Sequence, residues 1–160
     1  AIGGVQELLA DSMAIFAPNL NSYRRFGPNL FVPVNASWGY NNRSVAFRVP
    51  NGPAHARRIE HRVTGADANP YLVVAAVLAG IHYGIVNKCD PGAPAEGNAC
   101  DIVDENIPFY LPSALKRLRN SEPMREYFGA EYVDVYAETK ILEYDKFNSE
   151  ISALEYDWYL

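Results

Sequence analysis

The stretch from Arg43 to Arg62 constrains this chain most. Two short runs rich in β-branched residues, Ser44–Val49 and Arg58–Val63, flank a turn region of Pro, Asn and Gly. The pattern predicts two antiparallel strands joined by a loop. Side chains alternate between the faces of a strand, so Arg58, Glu60 and Arg62 fall on one face and Ile59, His61 and Val63 on the other. Arg43 and Arg48 come from the neighbouring run, so four guanidinium groups gather around a single carboxylate.

Arginine offers a planar fork of donors that matches phosphate or carboxylate bidentately, and it stays charged at any working pH. Two readings of the face are open. It is either a structural ion-pair ladder on a solvated surface, or a site for a ligand with several negative charges. In the second case a triphosphate occupies the arginines and leaves Glu60 to hold a divalent cation, since Mg²⁺ is bound by one or two carboxylates together with substrate phosphates.

The 160 residues suffice for one domain, and 49% hydrophobic with 21% charged content places the chain among globular proteins. A net charge of −5 argues against a nucleic-acid partner. Leu72–Ile81 is the longest apolar run and is too short to span a bilayer, and no leader pattern precedes it. Cys89 and Cys100 sit in a loop without metal-type spacing and read as reduced thiols of a cytoplasmic protein. His55, His61 and His82 show no zinc-ligand pairing, and His82 reads as a core residue of an apolar helix.

In chain order, Val5–Phe16 has helical apolar spacing, and the chain is expected to open within a helix. Asn19–Arg25 leads into a Pro- and Asn-rich loop at residues 27–35, a setting in which binding residues often lie. Trp38 fits either the core or a pocket wall. Asn69 and Pro70 predict the start of a helix, Pro70–Val86, that is apolar nearly all round and therefore expected to be buried. A loop follows at Lys88–Pro108. Short helices are expected over Ser113–Arg119, capped by Ser113, and from Ser121 to a Gly129 cap. A last helix is expected from about Tyr132 to Tyr159. It would carry one apolar stripe (Tyr144, Phe147, Ile151, Leu154 and Trp158) packed on the body or on another subunit.

Four blocks in order, NSYRRFGP at 21–28, WGYNNRSVAFRVP at 38–50, RRIEHR at 57–62 and GADANPYL at 65–72, make the chain resemble the C-terminal part of the glutamine synthetase catalytic domain. The resemblance implies an α+β fold: part of a curved antiparallel sheet backed by helices, with a long C-terminal helix, residues 1–160 being the C-terminal portion of a longer enzyme. It implies ATP, Mg²⁺ or Mn²⁺, glutamate and an amine as ligands, and a homo-oligomeric ring. By similarity, Arg25 contacts the glutamate near its reacting carboxylate and Arg62 binds the α-carboxylate. Arg43, Arg48 and Arg58 match contacts to ATP phosphates or nucleotide, Arg25 and Arg43 being the catalytic pair, and Glu60 matches a metal ligand.

Two positions depart from the ammonia-using members. Phe31 stands where those enzymes carry an acidic residue that helps accept the amine's proton, a pattern more similar to relatives that attach glutamate to putrescine or other organic amines. The stretch Asn98–Asp101 stands where many bacterial members carry a regulatory tyrosine, so control by adenylylation there is not expected. The expectation is a γ-glutamyl–amine ligase fragment, inactive by itself. Glutamine synthesis from ammonia and a non-catalytic anion-binding remnant are the alternatives.

Overall fold

A computed structural model of the chain describes residues 1–27, 30 and 32–159. The N-terminal apolar run forms two helices, α1 (Ile2–Glu7) and α2 (Leu9–Phe16), divided at Leu8. Leu9, Met13 and Phe16 of α2 are buried at the centre of the molecule. Around α2 pack α3 (Pro70–Val86) and α4 (Leu111–Asn120). Next come α5 (Glu122–Phe128) and α6 (Ala130–Asn148), with α6 lying on α4. The common core includes Phe47, Leu115, Leu118, Met124 and Val133.

The sheet is small. β1 (Trp38–Tyr40), β2 (Phe47–Val49) and β3 (Glu60–His61) lie in that order. β2 and β3 are antiparallel as the sequence predicts, with Phe47 opposite His61 and Arg48 opposite Glu60. β1 runs parallel to β2, pairing Gly39 with Arg48, so the sheet is mixed. The fold is α+β.

α3 starts where the sequence says: Asn69 accepts from the backbone N–H groups of Tyr71 and Leu72, and Pro70 occupies the first turn. Its burial departs from expectation. Ala76, Ala79, Gly80 and Gly84 are covered, whereas Tyr71, Val74, Leu78, Ile85 and Val86 are each more than half exposed. A helix apolar on all sides has no stripe to announce which face is covered, and the described residues cover one side. α1 crosses that side at glycines. A Cβ on Gly84 would stand 2.6 Å from the Gly4 backbone, and one on Gly4 would stand 2.1 Å from the Gly80 carbonyl oxygen.

Three further expectations are corrected. α4 begins at Leu111 with Tyr110 before it, so Ser113 lies inside the helix and does not cap it. The last helix is broken: α6 ends at Asn148, and α7 (Ala153–Tyr159) starts afresh. Ser152 Oγ accepts from the Glu155 backbone N–H while Glu155 accepts from that of Ser152. This reciprocal cap opens a new helix. Of the predicted stripe, Tyr144 is half-buried, and Phe147, Ile151, Leu154 and Trp158 are exposed. Ser121 does cap α5, accepting from the Met124 N–H, and Gly129 ends it at a φ of 85° that side chains disfavour.

Candidate functional site

The β2–β3 pair builds the charged face. Arg48 Nη1 donates to Glu60 Oε2 at 2.9 Å, and Arg48 Nη2 donates to Asn41 Oδ1 at 2.7 Å. Asn41, just past β1, adopts the left-handed φ of 48° that asparagine tolerates. Arg58 reaches the other oxygen of Glu60 at 3.6 Å with its own side chain 61% exposed. Glu60 is thus held on one oxygen and only loosely engaged on the other. Sequence reasoning did not single out Asn41; the Asn-Asn pair that follows the strand was its one trace.

Arg62 lies beside this pair. Its Nη1 donates to the carbonyl of Arg43 and, at 3.2 Å, to that of Val45. Burial lowers its pKa and the neighbouring Arg48 lowers it further, while Glu60 pulls it back up and Arg43 again opposes. Arg43, Arg48, Glu60 and Arg62 therefore share one electrostatic neighbourhood. Arg25 ends a 3₁₀ turn (Leu20–Arg25). Its guanidinium donates to the Val63 carbonyl, one residue beyond Arg62, and lies 4.3 Å over the Phe26 ring. Burial lowers the Arg25 pKa, with Asp67 acting against that shift. The structure brings Arg43, Arg48, Arg58, Glu60 and Arg62 together and sets Arg25, on its own turn, against Val63 just past the end of β3. Phe31 lies outside the described residues.

The opposite face of β3 is structural. The His61 ring lies 4.3 Å from that of Phe16 and 5.1 Å from that of Phe47. Its Nδ1 is 3.0 Å from Thr64 Oγ1, and its Nε2 is buried without a partner. Burial drives the imidazole pKa down to about 4, so it is neutral.

The loop after α3 is strapped along β1. Trp38 Nε1 donates to the carbonyls of Pro91 and Gly92, both at 3.1 Å. The Ala95 N–H donates to the Trp38 carbonyl at 2.7 Å, and that of Ala99 to Ser44 Oγ at 2.8 Å. Trp38 is both core and wall: it is buried, and with Tyr40, Val49, Arg57, Arg58 and Ile59 it lines a cleft of about 740 Å³ beside the charged face. Cys89 and Cys100 are free thiols. His82 is exposed, contrary to the core reading, and its Nδ1 meets the Tyr127 hydroxyl at 2.7 Å. Among the described residues, no three His, Cys, Asp or Glu side chains converge as a metal cage, and no helix is long and apolar enough to cross a membrane.

The family model for the glutamine synthetase catalytic domain matches residues 1–159. The chain belongs to the glutamine synthetase family. Among curated members, it is similar to gamma-glutamylputrescine synthetase PuuA of Escherichia coli, at 44% identity over 99% of this chain and 34% of that protein. It is also similar to glutamate–isopropylamine ligase of a Pseudomonas species, at 38% identity over 99% of the chain and 35% of the relative. Type-1 glutamine synthetase 2 of Dictyostelium discoideum is 37% identical over 99% of the chain and 31% of its own length. The chain therefore spans about a third of the length of the relatives it matches.

Proposed function

We propose that this chain is the C-terminal part of an ATP-dependent ligase that joins the γ-carboxylate of glutamate to an organic amine. The observation that carries this reading is the Arg48–Glu60–Arg58 arrangement with Arg43 and Arg62 beside it, in a chain similar to two ligases named for organic amines.

In this reading Arg62 holds the glutamate α-carboxylate, and Arg25, docked on the carbonyl of the next residue, Val63, faces the γ-carboxylate. Arg43, Arg48 and Arg58 take the phosphate oxygens of ATP, and the apolar walls of the cleft beside Arg58 receive the base. A γ-carboxylate oxygen attacks the terminal phosphorus and ADP leaves. The amine nitrogen then attacks the acyl carbon of the γ-glutamyl phosphate, inorganic phosphate leaves, and the nitrogen gives up a proton. The arginines work by positioning and by neutralising charge that builds on the transferring group.

Glu60 fits a ligand of Mg²⁺ or Mn²⁺, because one of its oxygens is only loosely engaged and lies on the phosphate-binding face. The bound cation would screen the phosphates. One carboxylate is too few for a metal cage, so the other ligands come from ATP and from parts of the enzyme beyond this segment. The chain alone is accordingly inactive, and the working enzyme is a homo-oligomeric ring.

The test is ADP release by the full-length enzyme with glutamate and Mg²⁺, comparing ammonia, putrescine and longer amines. Preference for an organic amine supports the proposal. Preference for ammonia makes the parent a glutamine synthetase, and no ADP with any amine leaves the anion-binding reading.

A further inference from the structure

We propose that Asp67 is a positioning residue for Arg25, and so for the glutamate-binding end of the site. The inference rests on the ligase reading for its substrate, but the structural relay on which it stands does not.

Arg25 is carried by the 3₁₀ turn Leu20–Arg25, and that turn is tied to the segment after β3 through one carboxylate. Asp67 Oδ2 accepts from Ser22 Oγ at 2.5 Å and from Asn19 Nδ2 at 3.1 Å. The Asn19 backbone N–H in turn donates to Ser22 Oγ at 3.0 Å. Both ends of the turn's opening are therefore fixed by Asp67. The remaining oxygen, Oδ1, faces the guanidinium across Gly65. A Cβ built on Gly65 would meet Asp67 Oδ1 at 2.4 Å and both Nε and Nη2 of Arg25 at 3.5 Å. The glycine leaves the gap through which the two charges act on each other.

Arg25 needs such a guide. Its Nε is buried without a hydrogen-bond partner, and the described contacts of the guanidinium are the Val63 carbonyl and the Phe26 ring. Neither contact is an anion, so the negative charge that acts on this half-buried cation comes from a carboxylate that does not touch it. Asp67 and Arg25 lie 42 residues apart in sequence, and neither needs the other for backbone hydrogen bonding. Their link is one of placement.

The experiment measures Arg25 directly in the full-length enzyme, with an arginine-specific dicarbonyl reagent and mass spectrometry of the labelled peptides. Asp67→Ala should raise the labelling rate of Arg25 about fivefold or more while Arg62 is unchanged, and Asp67→Asn, which keeps an acceptor for Ser22, should recover part of the protection. In kinetics, Asp67→Ala should raise the glutamate KM about tenfold with the ATP KM unmoved, and should add little once Arg25→Lys is present. Unchanged Arg25 labelling in Asp67→Ala overturns the proposal whatever the substrate. Glutamate and ATP KM values that rise together, or losses that add fully to those of Arg25→Lys, also overturn it. Increased labelling in an enzyme that does not use glutamate upholds the role of Asp67 and removes the ligase reading.

Discussion

Arg48 and Glu60 stand directly opposite each other in the β2–β3 ladder, and their side chains meet at 2.9 Å. Arg48 is bound a second time by Asn41, so it is the fixed member of the pair. Glu60 keeps an oxygen turned towards the exposed Arg58. A pure anion site gains nothing from a carboxylate there, whereas a site for a metal–nucleotide does.

Glu60→Ala should therefore uncouple ATP binding from metal. In the unsubstituted enzyme, removing divalent metal with EDTA should weaken ATP binding about tenfold or more, and in Glu60→Ala the two affinities should agree. Calorimetric titration reads both. Tight ATP binding in EDTA that is unaffected by Glu60→Ala would remove the metal role.

The buried His61 makes stability depend on pH. Its folded pKa of about 4, lowered first by burial with Arg25 adding to the shift, lies below the ordinary value of 6.5. Between those values the unfolded chain binds a proton that the folded chain refuses, so stability is complete above pH 6.5 and declines as pH falls towards 4. The whole interval is worth about 3 kcal/mol. Denaturant unfolding at pH 7 and pH 4.5 should show that His61→Leu flattens this dependence relative to the unsubstituted protein. Equal slopes in the two proteins would remove His61 as the cause.

The α1–α3 crossing depends on the absence of side chains. Gly84→Ala would place a methyl group 2.6 Å from the Gly4 backbone, and backbone cannot swing aside as a side-chain tip can. We expect about 3 kcal/mol of destabilisation or more from this overpacking. Gly52→Ala, whose new methyl would find its nearest neighbour at 4.0 Å, should stay within about 0.5 kcal/mol. Thermal unfolding of the two variants separates close packing from a general intolerance of substitution.

These residues also show what the sequence could carry. The antiparallel pairing of 44–49 with 58–63 was legible because alternation assigns faces without tertiary information, and α3 was legible because Asn69-Pro70 is a local start signal. The break before α7 had a local signal too, the Ser152-x-x-Glu155 cap, which the longer apolar stripe masked. Other features had no local signature. The parallel register of β1, the uncovered face of α3 and the Asp67–Ser22 bond depend on which distant segments meet. In the candidate site, Arg43, Arg48, Arg58, Glu60 and Arg62 were visible as a charge pattern on one strand pair. The restraint of Arg48 by Asn41 was not, because it needs a left-handed backbone at Asn41 that the sequence does not announce.

The amine preference can be tested at Phe31. A phenyl ring neither accepts a proton nor favours ammonium over a larger amine, so the proposed ligase should gain ammonia use when a carboxylate is restored there. Phe31→Glu should raise kcat/KM for ammonia relative to putrescine by about tenfold, with the KM for ATP unaltered. The effect is expected in that ratio, because in the proposed reading residue 31 acts on the amine while the arginine face acts on ATP. A ratio that does not move would place amine selection elsewhere in the enzyme, and a fall in turnover with both amines would mark Phe31 as a packing residue of the loop.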